Sequence, residues 1–151
     1  MTKPTTPNLR KICMDLLAYR EHSRLELRNK LLLREFEPES IEPILDSLVR
    51  DNLLNDQRFA EAYTRMRARR GFGSIRIKQE LNERGIANEL ITNAIRSTEL
   101  DWWQLAAEQK QKKFGTVVAK DFPERAKQMC FLQYRGFDNE QIRFAVEMRD
   151  I

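Results

Sequence analysis

The feature that most constrains the fold is an apolar pattern that occurs three times along the chain. Its five positions are separated by three, four, four and three residues, and successive copies lie 50 and 51 residues apart. A helix places residues four apart on one face, so the first two and the last two positions of each copy predict two helices, joined by a turn, that bury a common stripe. The copies are Leu27, Leu31, Phe36, Ile41, Leu45; Ile77, Leu81, Ile86, Ile91, Ile95; and Gln128, Leu132, Phe137, Ile142, Val146.

The turn in the middle of the pattern also recurs, as REFEPES, RGIANEL and RGFDNEQ. Gly85 and Gly136 are suited to the left-handed conformation that closes a helix, whereas the first copy has Glu35 at the same position. A repeat of about 50 residues buries too little apolar surface alone and gains stability by stacking on its neighbours. We therefore expect an all-α fold of three tandem three-helix repeats that form an elongated, curved array.

Residues typical of helix starts set the predicted segments. Ser23 and Ser74 are predicted N-caps, and Asp101 opens the first helix of the third repeat. Asp138 is an N-cap candidate for the last helix, which is predicted over 138–149. The predicted segments are a disordered lead at 1–8, repeat 1 at 9–54, repeat 2 at 55–99 and repeat 3 at 100–151.

The apolar segments of the sequence and its two cysteines bear on where in the cell the protein acts. No apolar run approaches the ~18 residues that a membrane span requires. The N-terminal sequence has no apolar segment of the kind found in secretory signals. Cys13 and Cys130 stand among apolar neighbours and are expected to be buried thiols in a reducing environment. We therefore expect a cytoplasmic protein with no membrane partner.

The net charge of +4 is concentrated in one third of the chain. Residues 55–98 hold nine Lys or Arg against five Asp or Glu, whereas the segments before and after them are balanced at nine against nine. A uniform excess would indicate little beyond solubility, but a localised excess indicates a surface for an acidic partner.

The excess is densest in RMRARRGFGSIRIKQ, residues 65–79, where six residues are basic and none is acidic. A solvated helix face would place acids three or four residues from the basic ones, and none occurs from Ala62 to Gln79. Arginine's planar fork suits phosphate oxygens, so nucleic acid is the most natural partner. Phe72 is predicted to plug the helix junction in preference to stacking on a base. The candidate DNA- and filament-binding residues are Arg65, Arg67, Arg69, Arg70, Arg76 and Lys78.

Catalysis and cofactor binding are not predicted. GFGSIR has Arg76 where a dinucleotide-binding loop has its third glycine, and a basic helix precedes it in place of a strand. His22 is the only histidine; it is expected to be solvated, with no nucleophile near it in sequence. No group of residues has the spacing of a metal site. We expect no enzyme activity, no cofactor and no metal.

The segment DQRFAEAYTRMRARRGFGSIRIKQELNERGI resembles the signature region of the RecX family, which regulates the recombinase RecA. The first repeat (REHSRLELRNKLLLREFEPESIEPILDSLVRDNLLND) and the third (DWWQLA and QYRGFDNEQI) fit the same family. The resemblance covers nearly the whole chain. It implies three tandem three-helix repeats and a protein that lodges in the groove of the RecA–DNA filament, curbing its recombinase and coprotease activities. The family's basic surface maps onto the six candidates above.

The expected partners are the RecA filament and the phosphate backbone of single-stranded DNA, with double-stranded DNA as a second substrate, and the expected state is a monomer. Arg24, Arg28 and Lys30 are secondary candidates that neighbouring acids offset. Two alternatives stay open: a free-standing helical nucleic-acid-binding protein and an adaptor that contacts only protein. Trp102 and Trp103 are expected to divide between core and surface, and the exposed one is a candidate anchor for a protein partner.

Overall fold

The fold is all-α over residues 6–147, which are the residues that the structure describes. Between these limits the computed structural model contains nine helices and no strand. None of these helices is long and apolar enough to cross a bilayer. The helices are α1 (Thr6–Tyr19), α2 (Arg24–Leu33), α3 (Pro38–Arg50), α4 (Asp56–Arg69), α5 (Ser74–Glu83), α6 (Asn88–Ser97), α7 (Trp102–Phe114), α8 (Phe122–Arg135) and α9 (Asn139–Glu147).

The first and last predicted segments extend beyond the described residues. Helix α1 begins at Thr6, so residues 6–8 of the predicted lead are helical. Pro7 is compatible with this start because the first turn of a helix has N–H groups without helical partners. The remainder of the lead and residues 148–149 of the predicted last helix lie outside the described range. The boundaries between the repeats stay predictions.

Most of the predicted helix starts agree with the structure. Ser23 caps α2 in a capping box, in which its hydroxyl accepts from the Glu26 amide at 3.1 Å. Asp138 caps α9, and its carboxylate accepts from the Gln141 amide at 2.8 Å. Ser74 is different: it is the first residue of α5, so the position before the helix belongs to a glycine. These caps supply partners for amide groups that a helix start leaves unpaired.

The apolar pattern is buried almost completely. Of its fifteen positions, fourteen are buried, and the exception, Ile95, is half-buried. Gln128, the polar member of the third copy, is only 2% exposed. Its side-chain oxygen has no hydrogen-bond partner among the described residues. The burial of these positions confirms that the pattern marks the core of the helical repeats.

The recurring turn adopts the same backbone conformation in all three copies. Gly85 and Gly136 have φ angles of +80° and +98°, as expected for helix-closing glycines. Glu35 has the same conformation, with a φ angle of +67°, although a side chain is strained there. The first copy therefore has the same turn geometry as the other two, although it lacks the glycine that adopts this conformation most easily.

The described chain forms two compact units, and the first comprises residues up to Ala62 together with Leu81–Ala94. Its core is built from apolar side chains of α1, α2 and α3 and of the segment that follows α3. Burying a large apolar side chain of this kind contributes about 1.5–3 kcal/mol. The buried members are Leu9, Cys13, Leu27, Leu31, Phe36, Ile41, Ile44, Leu45, Leu48 and Leu54.

The second unit comprises Tyr63–Glu80 and the described residues from Ile95 onward. Helix α7 packs against α9, and α8 packs against both. Trp102 is buried and Trp103 is 43% exposed, so the expected division of the two tryptophans is confirmed. All six primary candidate residues belong to this unit.

The two cysteines differ in exposure. Cys13 is buried in the first unit, and burial raises the pKa of its thiol to about 11. Cys130 is exposed on α8. The prediction of two buried thiols is therefore right for Cys13 and wrong for Cys130, because apolar neighbours in the sequence do not fix which face of a helix is covered.

Candidate nucleic-acid interface

The candidate surface is built around the short turn that joins α4 to α5. Gly71 takes a left-handed φ of +94°, which ends α4 sharply. Gly73 lies against the α8–α9 turn, where a Cβ atom would be only 2.4 Å from the Gly136 carbonyl oxygen. Its amide donates to the Arg135 carbonyl at 2.8 Å, and the Ile75 amide donates to the Gly136 carbonyl at 3.0 Å. Glycine is required here because the two backbones touch.

Four of the six primary candidates present uncompensated charge. Their side chains are exposed and make no hydrogen bond or ion pair within residues 6–147. Two of them are four residues apart on α4, which places them on one helical face. We refer to these residues as the four exposed cations: Arg65, Arg69, Arg70 and Lys78.

The other two candidates, Arg67 and Arg76, share the carboxylate of Glu80. Arg67 donates to it through two nitrogens, at 2.9 and 2.8 Å, and the Arg76 Nε lies 3.6 Å from it. The prediction that no acid compensates this stretch is therefore wrong for both arginines. The stretch that lacks Asp and Glu ends at Gln79, and the next residue is Glu80. Glu80 is four residues after Arg76 on the same helix.

Glu80 is held ionised by its partners. Burial alone would raise the pKa of its carboxyl, but hydrogen bonds and charge from Arg67 outweigh that effect and lower the pKa below its ordinary value. The Tyr63 hydroxyl adds a hydrogen bond at 3.2 Å, and the charge of Arg76 acts in the same direction. The bidentate arginine–carboxylate pair fixes Arg67 more firmly than a solvated side chain.

The Phe72 ring lies beneath three guanidinium groups. The central carbons of Arg67, Arg76 and Arg135 are 3.8, 4.6 and 4.9 Å from its centroid. Cations at such distances are attracted by the negative face of the ring. The ring is half-buried and joins the arginines of α4, α5 and α8. Its role as a plug of the helix junction stays a prediction.

Two further residues of this surface were missed by the sequence reasoning, because they come from α8. Arg135 donates to the Arg70 carbonyl at 3.2 Å, although the two are 65 residues apart. Arg76 donates to the Tyr134 carbonyl at 3.2 Å across 58 residues. An arginine begins all three copies of the recurring turn, REFEPES, RGIANEL and RGFDNEQ, and Arg135 is the third of them. This regularity belongs to the repeat and does not indicate proximity to the basic stretch.

The structure therefore brings the candidates together only in part. Arg67 and Arg76 meet at Glu80, and Arg70 is tied through its backbone to Arg135. The four exposed cations lie on the same two helices and the turn between them, and no ion pair among the described residues engages them. Their freedom leaves them available to an external anion.

The secondary candidates lie in the first unit and are engaged there. Arg24 pairs with Asp46 at 2.7 Å, and Arg28 pairs with Glu42 at 3.0 Å. Lys30 is hydrogen-bonded to a histidine ring. The neighbouring acids offset the two arginines, as expected, and these residues therefore offer less free charge than the four exposed cations.

His22 is buried, so the prediction of a solvated histidine is wrong. Its Nδ1 lies 3.0 Å from the Arg20 carbonyl, and the Lys30 Nζ lies 2.7 Å from its Nε2. The carbonyl must receive a proton from Nδ1, and the lysine must donate to Nε2, so the ring is neutral. Burial lowers the pKa of the ring below its ordinary value, and the positive charges of Arg20 and Lys30 lower it further.

Residues 8–147 contain no group of three or more side chains arranged to hold a metal ion. The arrangement of the second unit can bind an anion through arginine and lysine, and it offers aromatic rings beside those cations.

Models of the three RecX domains match the chain in order. The first three-helix domain covers residues 10–48, the second covers 55–95 and the third covers 99–146. The chain belongs to the RecX family. The predicted organisation as three tandem three-helix domains is confirmed.

Relatives and solved structures agree with this membership. The regulatory protein RecX of Pseudomonas savastanoi pv. phaseolicola is 43% identical over 134 residues, or 89% of this chain and 86% of that protein. That of Halorhodospira halophila is 40% identical over 142 residues, or 94% and 88%. The crystal structure of RecX from Lactobacillus salivarius has a TM-score of 0.77 at 22% identity and covers 94% of each chain. RecX proteins are regulators, not enzymes, and the family implies a regulatory role in the RecA system.

Proposed function

We propose that this protein binds in the groove of the RecA–DNA filament and inhibits its recombinase and coprotease activities. The observation that carries the proposal is the set of four exposed cations at the α4–α5 junction of a RecX-family chain. Phosphates neutralised by such cations release counterions, which drives binding to DNA. In this role the protein acts as a cytoplasmic monomer in DNA repair, recombination and the SOS response.

The mechanism requires a difference in affinity between filament states. A ligand shifts an equilibrium only as far as it binds one state better than another. We infer that the helical repeats bridge successive RecA subunits while the four exposed cations reach the DNA backbone along the filament. Contacts that exist in only one filament state then move the filament between assembly and disassembly.

DNA and protein contacts have different sources in this proposal. Phosphate contacts carry no sequence information, so the protein binds single strands of any sequence, with double-stranded DNA as a second substrate. Trp103, which is 43% exposed on α7, supplies an aromatic anchor for RecA.

The test is the DNA-dependent ATPase of RecA on single-stranded DNA, titrated with three forms of the protein. The first is wild type, and the second is the triple variant R65A/R69A/R70A. The third is a control, K11A/R50A/R143A, which removes the same number of charges from exposed positions that have no ion pair within the described residues. A pull-down with RecA filaments accompanies each titration.

We expect wild type and control to inhibit alike, and the R65A/R69A/R70A variant to require at least about tenfold more protein, since three phosphate contacts are lost. Equal inhibition by all three forms would contradict a DNA role for these arginines and favour a protein-only adaptor. Tight, sequence-selective DNA binding with no effect on RecA would favour a free-standing nucleic-acid-binding protein.

A further inference from the structure

Tyr134 is an exposed aromatic residue next to the candidate interface. Its relative exposure is 72%, although it belongs to the last turn of α8, beside residues of the second unit's core. Its hydroxyl has no hydrogen-bond partner within the described chain. An aromatic ring left in water forgoes the stabilisation that burial would give. Tyr134 is therefore an aromatic surface that a ligand can reach.

The ring is held in place by its neighbours. The Arg76 guanidinium lies 5.0 Å from the ring centroid and also donates to the Tyr134 carbonyl at 3.2 Å. The next turn is fixed as well, because a Cβ on Gly136 would lie 2.3 Å from the Arg76 Cβ. A ring ordered in this way has little conformational freedom left to lose when it stacks on a ligand.

The same guanidinium groups link Tyr134 to the other rings of the unit. Arg76 lies 4.6 Å from the Phe72 centroid and 5.0 Å from that of Tyr134. Arg135 lies 4.9 Å from the Phe72 centroid and 5.2 Å from that of Phe131. Aromatic rings and cations thus alternate along one connected strip. Phe72 and Phe131 are half-buried, so Tyr134 is the ring of this strip that is most open to a ligand.

A ligand that binds at Tyr134 must suit both its aromatic ring and the positive charges beside it. A single DNA strand offers an unpaired base to an aromatic face and phosphates to the flanking cations, and single-strand binders commonly combine these two contacts. A duplex keeps its bases stacked on one another, so it can meet the cations but not the ring. The positive charges beside Tyr134 favour a nucleic-acid strand over an apolar protein segment.

We propose that Tyr134 is a stacking platform for an unpaired nucleobase of single-stranded DNA whose phosphates lie on the four exposed cations. The proposal rests on the proposed DNA-binding function and adds a preference for single strands to it. Arg76 is a positioning residue here: it holds the tyrosine ring from one side and leaves the other face for the base.

The test compares a fluorescent oligothymidylate with an abasic strand of the same length and phosphate number, by anisotropy at low salt. The proteins are wild type, Y134A, Y134F and a control, Y19A, which removes another highly exposed tyrosine. We expect Y134A to weaken binding to the base-bearing strand by about 5- to 150-fold, the range measured for loss of one stacked base. Binding of Y134A to the abasic strand stays unchanged, and Y134F and Y19A resemble wild type.

The outcomes separate this inference from the proposed function. Equal binding of Y134A and wild type to the base-bearing strand, or equal losses on both strands, would overturn the stacking. Phosphate binding would still stand in that case if R65A/R69A/R70A weakens binding to the abasic strand. A Y134A variant that loses RecA filament binding while both strands bind normally would make the tyrosine a protein contact and also overturn the stacking.

Discussion

The salt dependence of DNA binding gives the number of phosphates that the cations of the protein neutralise. For single strands, the slope of log K against log salt is about −0.7 per neutralised phosphate. The six basic candidates of the sequence would give a slope of about −4. Arg67 and Arg76, however, are engaged by Glu80 and stacked on Phe72, so the four exposed cations remain. We therefore expect a slope of about −2.8.

Two variants change this number in opposite directions. R69A/R70A removes half of the four exposed cations and should reduce the slope to about −1.4. E80Q keeps the shape of the side chain but removes its charge, which releases Arg67 and Arg76 to bind phosphates. We expect the slope of E80Q to steepen towards about −4.

The assay is fluorescence anisotropy of labelled oligothymidylate at several salt concentrations. With a slope of about −2.8, the affinity of wild type falls about 50-fold between about 50 and 200 mM salt. A wild-type slope near −4 that E80Q leaves unchanged would refute the idea that Glu80 withholds two arginines. A slope near zero would show that this surface does not bind the phosphate backbone of DNA.

Two further predictions concern stability. Gly73→Ala should lower the free energy of unfolding by about 3 kcal/mol, because the new methyl group would meet the backbone of the α8–α9 turn. Gly115→Ala should cost about 1–3 kcal/mol from its backbone conformation alone (φ +82°, ψ −175°), since no atom lies within 4 Å of the new methyl group. A smaller loss for Gly73→Ala than for Gly115→Ala in urea unfolding would contradict the close approach of the two turns. The free energy of unfolding should also fall as the pH drops below 6.5, the ordinary pKa of histidine. Below that pH His22 takes up a proton in the unfolded state, whereas its lowered pKa keeps it neutral beside Lys30 in the folded state. His22→Gln should reduce this dependence between about pH 7.5 and 5.5, and an unchanged dependence would refute the assignment.

The fold was predictable because the apolar pattern repeats in register with its turns. A helix core is set by local spacing, so the sequence indicated positions such as Leu31 and Leu132, and both are fully buried. Exposure of single residues was harder to predict. His22 and Cys130 were assigned to the wrong environment, since burial depends on which helix packs over them.

The candidate site was predictable only where its residues are contiguous. The basic stretch was found from composition alone, but its compensation by Glu80 depends on the geometry between α4 and α5. Arg135 and Tyr134 reach the surface because two glycine turns touch, a contact between residues more than 60 positions apart. No local spacing signals such a contact, so the aromatic part of the surface emerged only from the structure.

The most direct test of the central claim is the concentration of protein that halves the DNA-dependent ATPase of RecA filaments. The surface variant R65A/R69A/R70A and the charge-matched control K11A/R50A/R143A are compared in the same titration. If the α4–α5 junction contacts DNA in the filament, this concentration rises by at least about tenfold for the surface variant and stays at the wild-type value for the control. The same concentration for both variants would contradict the account.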